Sequence, residues 1–383
     1  MSDDATAGPP SDEALTASSQ PPRRRSLAWH AAIGIGISVV LLWFTFRNED
    51  PREIAHEISR ADPLLLALAT AVVTFVFWIR AWRWRSILEP VRAGTSFRSR
   101  FAAVNIGFMG NNLLPARAGE FARAYAISRL EPVPIVAAFS SLVIERLFDG
   151  LLLVVLLFGS IAMPSFPDMR LAGSDFHVTA MARGLAFFVA FAALVLLLLV
   201  LFPQRAVRSL ERVLSYAPAP IRRPVIDALE AFLAGVGILR DPVLLLRAGA
   251  WSVVLWLVNG LAFYIGFLAF DIDLPFTAAI FLQSCVALFV SLPAAPGFFG
   301  QFELASKIAL VNVWGAEESK ALGYALGFHI AGFIPVTVMG LFYAWRMGLS
   351  LKGMARTEEV VETAVERQTG IDPDDPTGKD QDR

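Results

Sequence analysis

One cysteine, Cys285, and four histidines are the only soft metal ligands in 383 residues. A disulfide framework within the chain is excluded, and no His/Cys cluster has metal-ligand spacing. Cys285 sits in an apolar run and reads as a small core residue. A Gly-rich nucleotide loop and a nucleophile–base arrangement are missing too, so no cofactor and no metal are expected, nor ATP-driven work by this chain alone. Charge is scarce: 17% of residues are Asp, Glu, Lys or Arg, against about 25% in a soluble domain. With 56% hydrophobic residues, a chain this long would leave apolar surface in water. That excludes a soluble two-domain enzyme and indicates an integral membrane protein.

The formal net charge of −1 hides a division. Residues 1–26 carry Asp3, Asp4, Asp12 and Glu13 against Arg23, Arg24 and Arg25, and residues 357–383 carry nine acids against three bases. The body between them, 27–356, is therefore net +6. Both ends are rich in Pro, Ser, Thr, Asp and Glu and cannot bury enough apolar surface to order themselves, so they read as disordered cytosolic tails around one polytopic membrane domain.

A membrane-crossing helix needs about 20 largely apolar residues. The sequence predicts six firm spans, at 27–46, 64–82, 135–162, 180–202, 244–270 and 321–345. The first is long, ends in Trp43-Phe44-Thr45-Phe46 and lacks a small-residue cleavage site, so it reads as an anchor rather than a signal peptide. Basic residues collect at 23–25, 80–100, 203–243 and 346–356, whereas the loops 47–62, 163–178 and 271–274 are acidic or short. By the positive-inside rule both termini are cytosolic, and 203–243 holds a short amphipathic surface helix.

Two stretches do not fit simple spans. Residues 101–129 begin and end on the cytosolic side and break at Pro115, with Gly119 just beyond. Residues 276–314 begin and end on the outer side and break around Pro293, Pro296, Gly297 and Gly300. Each is a re-entrant hairpin or a pair of closely packed helices. Leu114-Pro115-Ala116 and Leu292-Pro293-Ala294 resemble each other and enter from opposite faces, the pattern of an inverted repeat around a mid-membrane site. The competing account is that Pro and Gly are frequent in membrane helices.

Irregular backbone at membrane depth persists only where protein or a wet cavity satisfies it. Asn112, Arg117, Glu120 and Arg123 crowd the first break, and the helix start after it offers free N–H groups beside Arg117. That is a candidate lipid-phosphate cradle, or else an Arg–Glu–Arg ladder snorkelling to the cytosol. Glu145, Arg146 and Asp149 fall inside a span, where an unpaired charge costs at least about 2.5–3.5 kcal/mol. A salt-bridged structural cluster accounts for them as well as a substrate or proton site does. Glu303 and Lys307 follow the second break, and His329 and Gln283 read as hydrogen-bonded core residues.

Arg80-Ala-Trp-Arg83-Trp-Arg85, Asn112-Leu-Leu-Pro115-Ala-Arg117-Ala-Gly119-Glu120, Glu145-Arg146-Leu-Phe-Asp149 and Pro296-Gly297-Phe-Phe-Gly300-Gln-Phe-Glu303 occur in one order. As a set they resemble the lysylphosphatidylglycerol synthase transmembrane-region family, the flippase-like domain, over roughly 30–350. The resemblance implies an inner-membrane protein that moves or handles phospholipid or polyprenyl-linked lipid. Full-length synthases of that family carry a soluble aminoacyl-transferase domain after the membrane part. Here only residues 357–383 follow, so lysyl transfer is not expected.

The leading reading is thus a lipid translocase. Arg80, Arg83, Asn112 and Arg117 would meet a lipid phosphate. Glu120, Glu145, Asp149 and Glu303, with Arg146 among them, would balance that charge, receive a cationic headgroup or carry a proton. A cationic body suits an anionic partner, phospholipid or polyprenyl phosphate; nucleic acid is not expected, and an envelope-biogenesis protein partner is compatible. The alternatives are a membrane glycosyltransferase or its accessory subunit, for which Asp271-Ile-Asp273 would serve as a D-x-D motif, and a non-transporting scaffold.

Overall fold

Helix starts are written in the sequence three times as Asp-Pro. In a computed structural model of the chain, which describes residues 24–115, 117–167, 241–291 and 296–354 together with 357, 360 and 361, Asp50, Asp62 and Asp241 each accept from backbone N–H groups of the first helical turn. Pro then occupies the first helical position, where its missing N–H costs nothing. These caps open α2 (Pro51–Arg60), α3 (Pro63–Leu88) and α7 (Pro242–Ala269). Before them runs α1 (Arg24–Phe46), and between α3 and α7 lie α4 (Phe97–Leu113), α5 (Ala118–Leu130) and α6 (Ile135–Ala162). After α7 come α8 (Phe276–Phe289), a 3-10 turn Pro296–Phe298, α9 (Gln301–Ser306) running into a π-helical stretch Lys307–Val313, α10 (Glu318–Arg346) and the short α11 (Leu351–Met354). No strand occurs among the described residues.

Among the described residues three helices are by themselves long and apolar enough to cross a bilayer: Pro63–Leu88, Val243–Ala269 and Glu318–Arg346. Large apolar side chains stay exposed along them and along α1, among them Val39, Trp43, Leu246, Ile334, Val338 and Trp345. A surface of that kind belongs in lipid rather than water. The expected count of six spans is not reproduced. The 28 residues of α6, about 42 Å at 1.5 Å per residue, are long enough, but Glu145, Arg146 and Asp149 interrupt their apolar character. The apolar helix α1 bends by 86° into α2, whose Arg52, Glu53, Glu57 and Arg60 leave it polar. The segment 47–62, expected as a loop, therefore holds a helix lying across the end of α1. The expected span 180–202, the amphipathic segment 203–243 and most of both tails lie outside the described residues.

Helices α3 and α7 pack antiparallel, with the Asp62 N–H donating to the Ala269 carbonyl at 2.8 Å where one begins and the other ends. Two hairpins flank them. In the first, α4 and α5 close at their open end through the Ser96 N–H and the Glu131 carboxylate (2.9 Å), next to the start of α6. In the second, α8 runs to the break and α9 with the π-helical stretch returns. Its open end lies at the other end of α6, where Phe166 stacks edge-on against Phe281 and Trp314 at 5.2 and 5.4 Å. The hairpins thus enter from opposite ends, and their tips meet: Arg117 donates to the Val290 carbonyl.

Backbone chemistry explains both tips. Leu114 is extended, as a residue before Pro must be, and Arg117 takes a left-handed conformation (φ 57°). Gly119, expected as part of the break, lies instead inside α5. Its role is close approach, since a Cβ there would sit 1.9 Å from the Gly107 carbonyl oxygen and 2.5 Å from the Asn111 nitrogen on α4. In the second hairpin Gly297 and Gly300 do make the break, with φ of 72° and 89°. Gly300 lies against α1, and the Ser38 hydroxyl of that helix donates to the Phe299 carbonyl.

Candidate functional site

Glu145 and Asp149 stand one turn apart on α6 and face inward, buried to 0% and 3% exposure. Glu145 lies about 15 Å along the helix from its start and about 26 Å from its end. Two buried carboxylates at that depth need cations, and two other helices supply them while a third adds neutral donors. From α5, Arg123 makes a paired contact to Glu145, both nitrogen–oxygen distances being 2.9 Å. From α3, Arg83 reaches Glu145 at 3.0 Å and makes a paired contact to Asp149. The Trp256 indole of α7 donates to Asp149 at 3.0 Å, and Arg83 also donates to the Ser252 hydroxyl at 3.0 Å. Paired, planar contacts of this kind are the strong form of the arginine–carboxylate interaction. Arg123 lies 4.0 Å above the Trp84 ring, whose own N–H is taken by Ser141 at 2.9 Å.

At the edge of this core lie two less committed arginines. Arg146 bonds Glu120 of α5 at 3.1 Å and stands 3.9 Å from both Glu145 and Asp149, with a side chain 40% exposed. Arg80 is 7% exposed, yet its approaches to Asp149 and Glu145 are only 3.7 and 4.0 Å. Its Nε and one Nη lack a hydrogen-bond partner, and its guanidinium lies over the rings of Phe108 and Trp256 at 4.8 and 5.8 Å. Around α6, four guanidinium groups therefore face three carboxylates. A fifth, Arg117, sits at the hairpin tip with its Nε likewise unpartnered.

The structure sorts the residues singled out in the sequence. Arg80, Arg83, Glu120, Glu145, Arg146 and Asp149 come together. Both Nη atoms of Arg83 are taken by Glu145, Asp149 and Ser252, which leaves it little to offer a phosphate. Asn112 gives its amide to the Thr337 hydroxyl of α10 at 2.9 Å. The Arg117–Glu120–Arg123 ladder does not form, because α5 turns each side chain to a different partner: Val290, Arg146 and Glu145. Glu303 is separate. It is fully buried, accepts from the Gly300 N–H at 2.6 Å and meets His329 of α10 at 2.7 Å. Lys307 turns away to the Thr45 carbonyl (3.0 Å) and Glu318. Gln283, as expected, is a bonded core residue, joined to the Trp256 carbonyl and Asn259 at 3.0 Å each.

Sequence reasoning gave no role to Ser252 and Trp256. Both lie in the apolar run of α7 four residues apart, a spacing that places them on one face. That one polar stripe was the available signal.

With this geometry in hand, comparison with known proteins fixes the family. A sequence model of the lysylphosphatidylglycerol synthase TM region matches residues 31–340. The chain belongs to that family. All the buried charges described above fall within the matched stretch. Among its relatives, a UPF0104 membrane protein of Methanothermobacter thermautotrophicus is 26% identical over 320 residues, covering 80% of this chain and 91% of that protein. A second UPF0104 protein of the same organism is 24% identical over 304 residues, 76% of this chain and 86% of its own length. Glycosyltransferase AglD of Haloferax volcanii is 27% identical over 329 residues, 80% of this chain and 52% of AglD. The chain thus spans about half of AglD. Family and apolar helices together make it a multi-pass membrane protein.

Proposed function

We propose that this family member is a lipid translocase that receives the phosphate of an anionic phospholipid or polyprenyl phosphate at Arg80, Arg117 and Arg146. One observation carries the reading: a buried network with one more arginine than carboxylate, in which Arg80 keeps two unpartnered nitrogens while 7% exposed. A buried guanidinium whose nearest carboxylate oxygens stand at 3.7 and 4.0 Å leaves its donors unfilled at a cost, and a phosphate oxygen is their natural complement. Arg146 offers the exposed side of the site. Arg83 and Arg123 hold Glu145 and Asp149 in place and do not touch lipid.

Orientation follows from charge. Arg85, Arg92, Arg98 and Arg129 lie at the end where α3 and α5 finish. Glu53, Glu57, Asp62, Asp271, Asp273 and Glu318 lie at the other, with Arg47, Arg52, Arg60 and Lys320 among them; Arg100 and Arg346 add to the first. The positive-inside rule makes the first end cytosolic, with both tails on that side, in a bacterial inner membrane. The site then lies nearer the cytosolic leaflet, where anionic headgroups attract a cationic body.

The test is leaflet exchange of fluorescent phosphatidylglycerol or polyprenyl phosphate in vesicles carrying the purified chain. Exchange should exceed that of empty vesicles, and Arg80→Gln should slow it at least about tenfold, about 1.4 kcal/mol, while leaving folded protein. Equal rates with and without protein would refute the reading. Mass spectrometry of co-purifying lipid would name the substrate.

The AglD match favours a second reading, an accessory role in sugar transfer on a polyprenyl phosphate. Asp271 is fully exposed with a left-handed backbone (φ 52°), 3.5 Å from Lys320. No group of three metal-ligating side chains occurs among the described residues. Asp271→Asn with Asp273→Asn should leave lipid exchange intact; loss of a sugar-lipid product in cells would favour the second reading.

A further inference from the structure

The second hairpin carries a buried ionisable pair that the arginine network does not touch. Glu303 is 0% exposed, one oxygen on the Gly300 N–H (2.6 Å) and the other on His329 Nδ1 (2.7 Å). The His329 ring lies between Phe299 and Phe302, with centroids at 4.6 and 4.5 Å, and its side chain is 11% exposed. We propose that Glu303 and His329 form a one-proton site through which movement of the second hairpin is coupled to a proton gradient. The proposal deepens the translocase reading and rests on it for the coupling, but not for the proton site itself.

The argument is charge balance. Holding one proton between them, a carboxyl and an imidazole are neutral as a pair, whether written as acid and neutral ring or as carboxylate and imidazolium. Loss of that proton leaves one uncompensated negative charge at full burial, which is costly at membrane depth. Release therefore requires the site to meet water, and rebinding lets it close. In this cycle the proton leaves to water from His329, the partly exposed member, and returns the same way, with no other bond made or broken.

Among the described residues the surroundings supply no fixed counter-charge. On the same returning arm, Lys307 is spent on Glu318 and the Thr45 carbonyl. Helix α1 brings Ser38 and Leu41, both uncharged. The first hairpin brings Arg117, whose guanidinium is on the Val290 carbonyl. On α10 the ionisable group facing Glu303 is His329, while Glu318 and Lys320 stand at the start of that helix, about 14 Å or more away along its axis. A structural ion pair would ordinarily use Arg or Lys; this site uses a histidine. It also adjoins backbone able to move, because Gly297, Phe298 and Gly300 have positive φ within four residues.

The experiment is infrared difference spectroscopy of the full chain in lipid nanodiscs, titrated with pH alone over about pH 5–9. A protonated-carboxyl C=O band, or a carboxylate band that shifts together with an imidazolium ring band, should titrate, disappear in Glu303→Gln, and shift its midpoint by about one pH unit or more in His329→Gln. Absence of a titrating band, or its survival in Glu303→Gln, overturns the proposal. Should Glu303→Gln fail to fold, His329→Gln decides: an unmoved midpoint overturns it and a moved one supports it. In vesicles with an imposed pH gradient, exchange of fluorescent phosphatidylglycerol by the unsubstituted chain should change at least about threefold, and by Glu303→Gln not at all; equal sensitivity of the two refutes coupling. If the unsubstituted chain moves no lipid at any pH, the translocase reading falls, and the spectrum alone judges the proton site.

Discussion

Replacing Glu145 with Leu leaves Arg123 buried at 1% exposure with no other carboxylate partner among the described residues. Replacing Arg123 with Met leaves Glu145 still bonded to Arg83 at 3.0 Å. The two ends of one ion pair should therefore differ in cost. Stranding a buried charge costs about 3–5 kcal/mol, whereas losing one charge-assisted contact from a carboxylate that keeps another costs about 1.5–3 kcal/mol. Glu145→Leu should thus lower the folding equilibrium about 10²- to 10³-fold or more, and Arg123→Met clearly less. The double variant removes both charges and should stand within about 1 kcal/mol of Arg123→Met, a coupling of about 2 kcal/mol or more. Equilibrium unfolding in mixed detergent micelles measures this, and Trp84, stacked under Arg123, should report the substitution in its fluorescence. If Glu145→Leu costs less than about 1 kcal/mol, or if the two costs simply add, the network is not the buried, mutually dependent structure described here.

Three further outcomes follow from the same geometry. Gly119→Ala should destabilise the first hairpin by about 3 kcal/mol, the upper end of overpacking costs, because backbone on α4 leaves no room; an unchanged thermal midpoint would contradict that packing. The Glu49 carboxyl, in the turn between α1 and α2, has its pKa raised by burial and then by Glu318. A raised carboxyl binds its proton more tightly folded than unfolded, so its contribution is fullest below the unfolded value and is lost as pH rises through the folded one. Glu49→Gln should accordingly stabilise the protein at neutral pH, with the gain vanishing on acidification, as thermal midpoints across pH would show. In a Cys285→Ser background, Arg117→Cys with Val290→Cys should be joined by a short bifunctional thiol reagent and lipid exchange should stop; free exchange after full cross-linking would mean that the tips need not part.

The breaks at Pro115 and at Gly297 and Gly300, and the bounds of α6, were legible because each rests on local backbone chemistry. The charges on α6 were legible as a problem, since three ionisable groups in a span demand partners. Which partners was not legible. Arg83 and Arg123 lie 66 and 22 residues away from Asp149 and Glu145, and only packing of α3 and α5 against α6 brings them in. The same packing turned Arg83 and Asn112 of the candidate phosphate ligands to protein partners and left Arg80 and Arg117, with Arg146 now beside them. His329 could be read as a bonded core residue, but not its partner, because Glu303 and His329 are joined across two elements. Nor does an amphipathic stretch such as 51–60 announce itself within a loop short enough to need no helix.

The two hairpins are held very differently. The first is fixed on one side by Gly340 of α10, where a Cβ would sit 2.1 Å from the Met109 side chain and 2.5 Å from the Asn105 carbonyl of α4, and on the other by Arg123 paired to Glu145 at 1% and 0% exposure. Moving it away from α6 would separate buried charges, at a cost of several kcal/mol. The second is held at its tip by the Ser38 hydroxyl on the Phe299 carbonyl and by Arg117 on the Val290 carbonyl, each a single hydrogen bond to a neutral acceptor. Contacts of that kind contribute about 1–3 kcal/mol net. If the site between the tips opens, the second hairpin is therefore the part that moves, and the first stays with the arginine network. Such motion would free Arg117, beside Glu120 and Arg146, and uncover Glu303 with His329. One displacement would thus present a cation to a lipid phosphate and a proton site to water, which is how a gradient in one could be made to depend on the other.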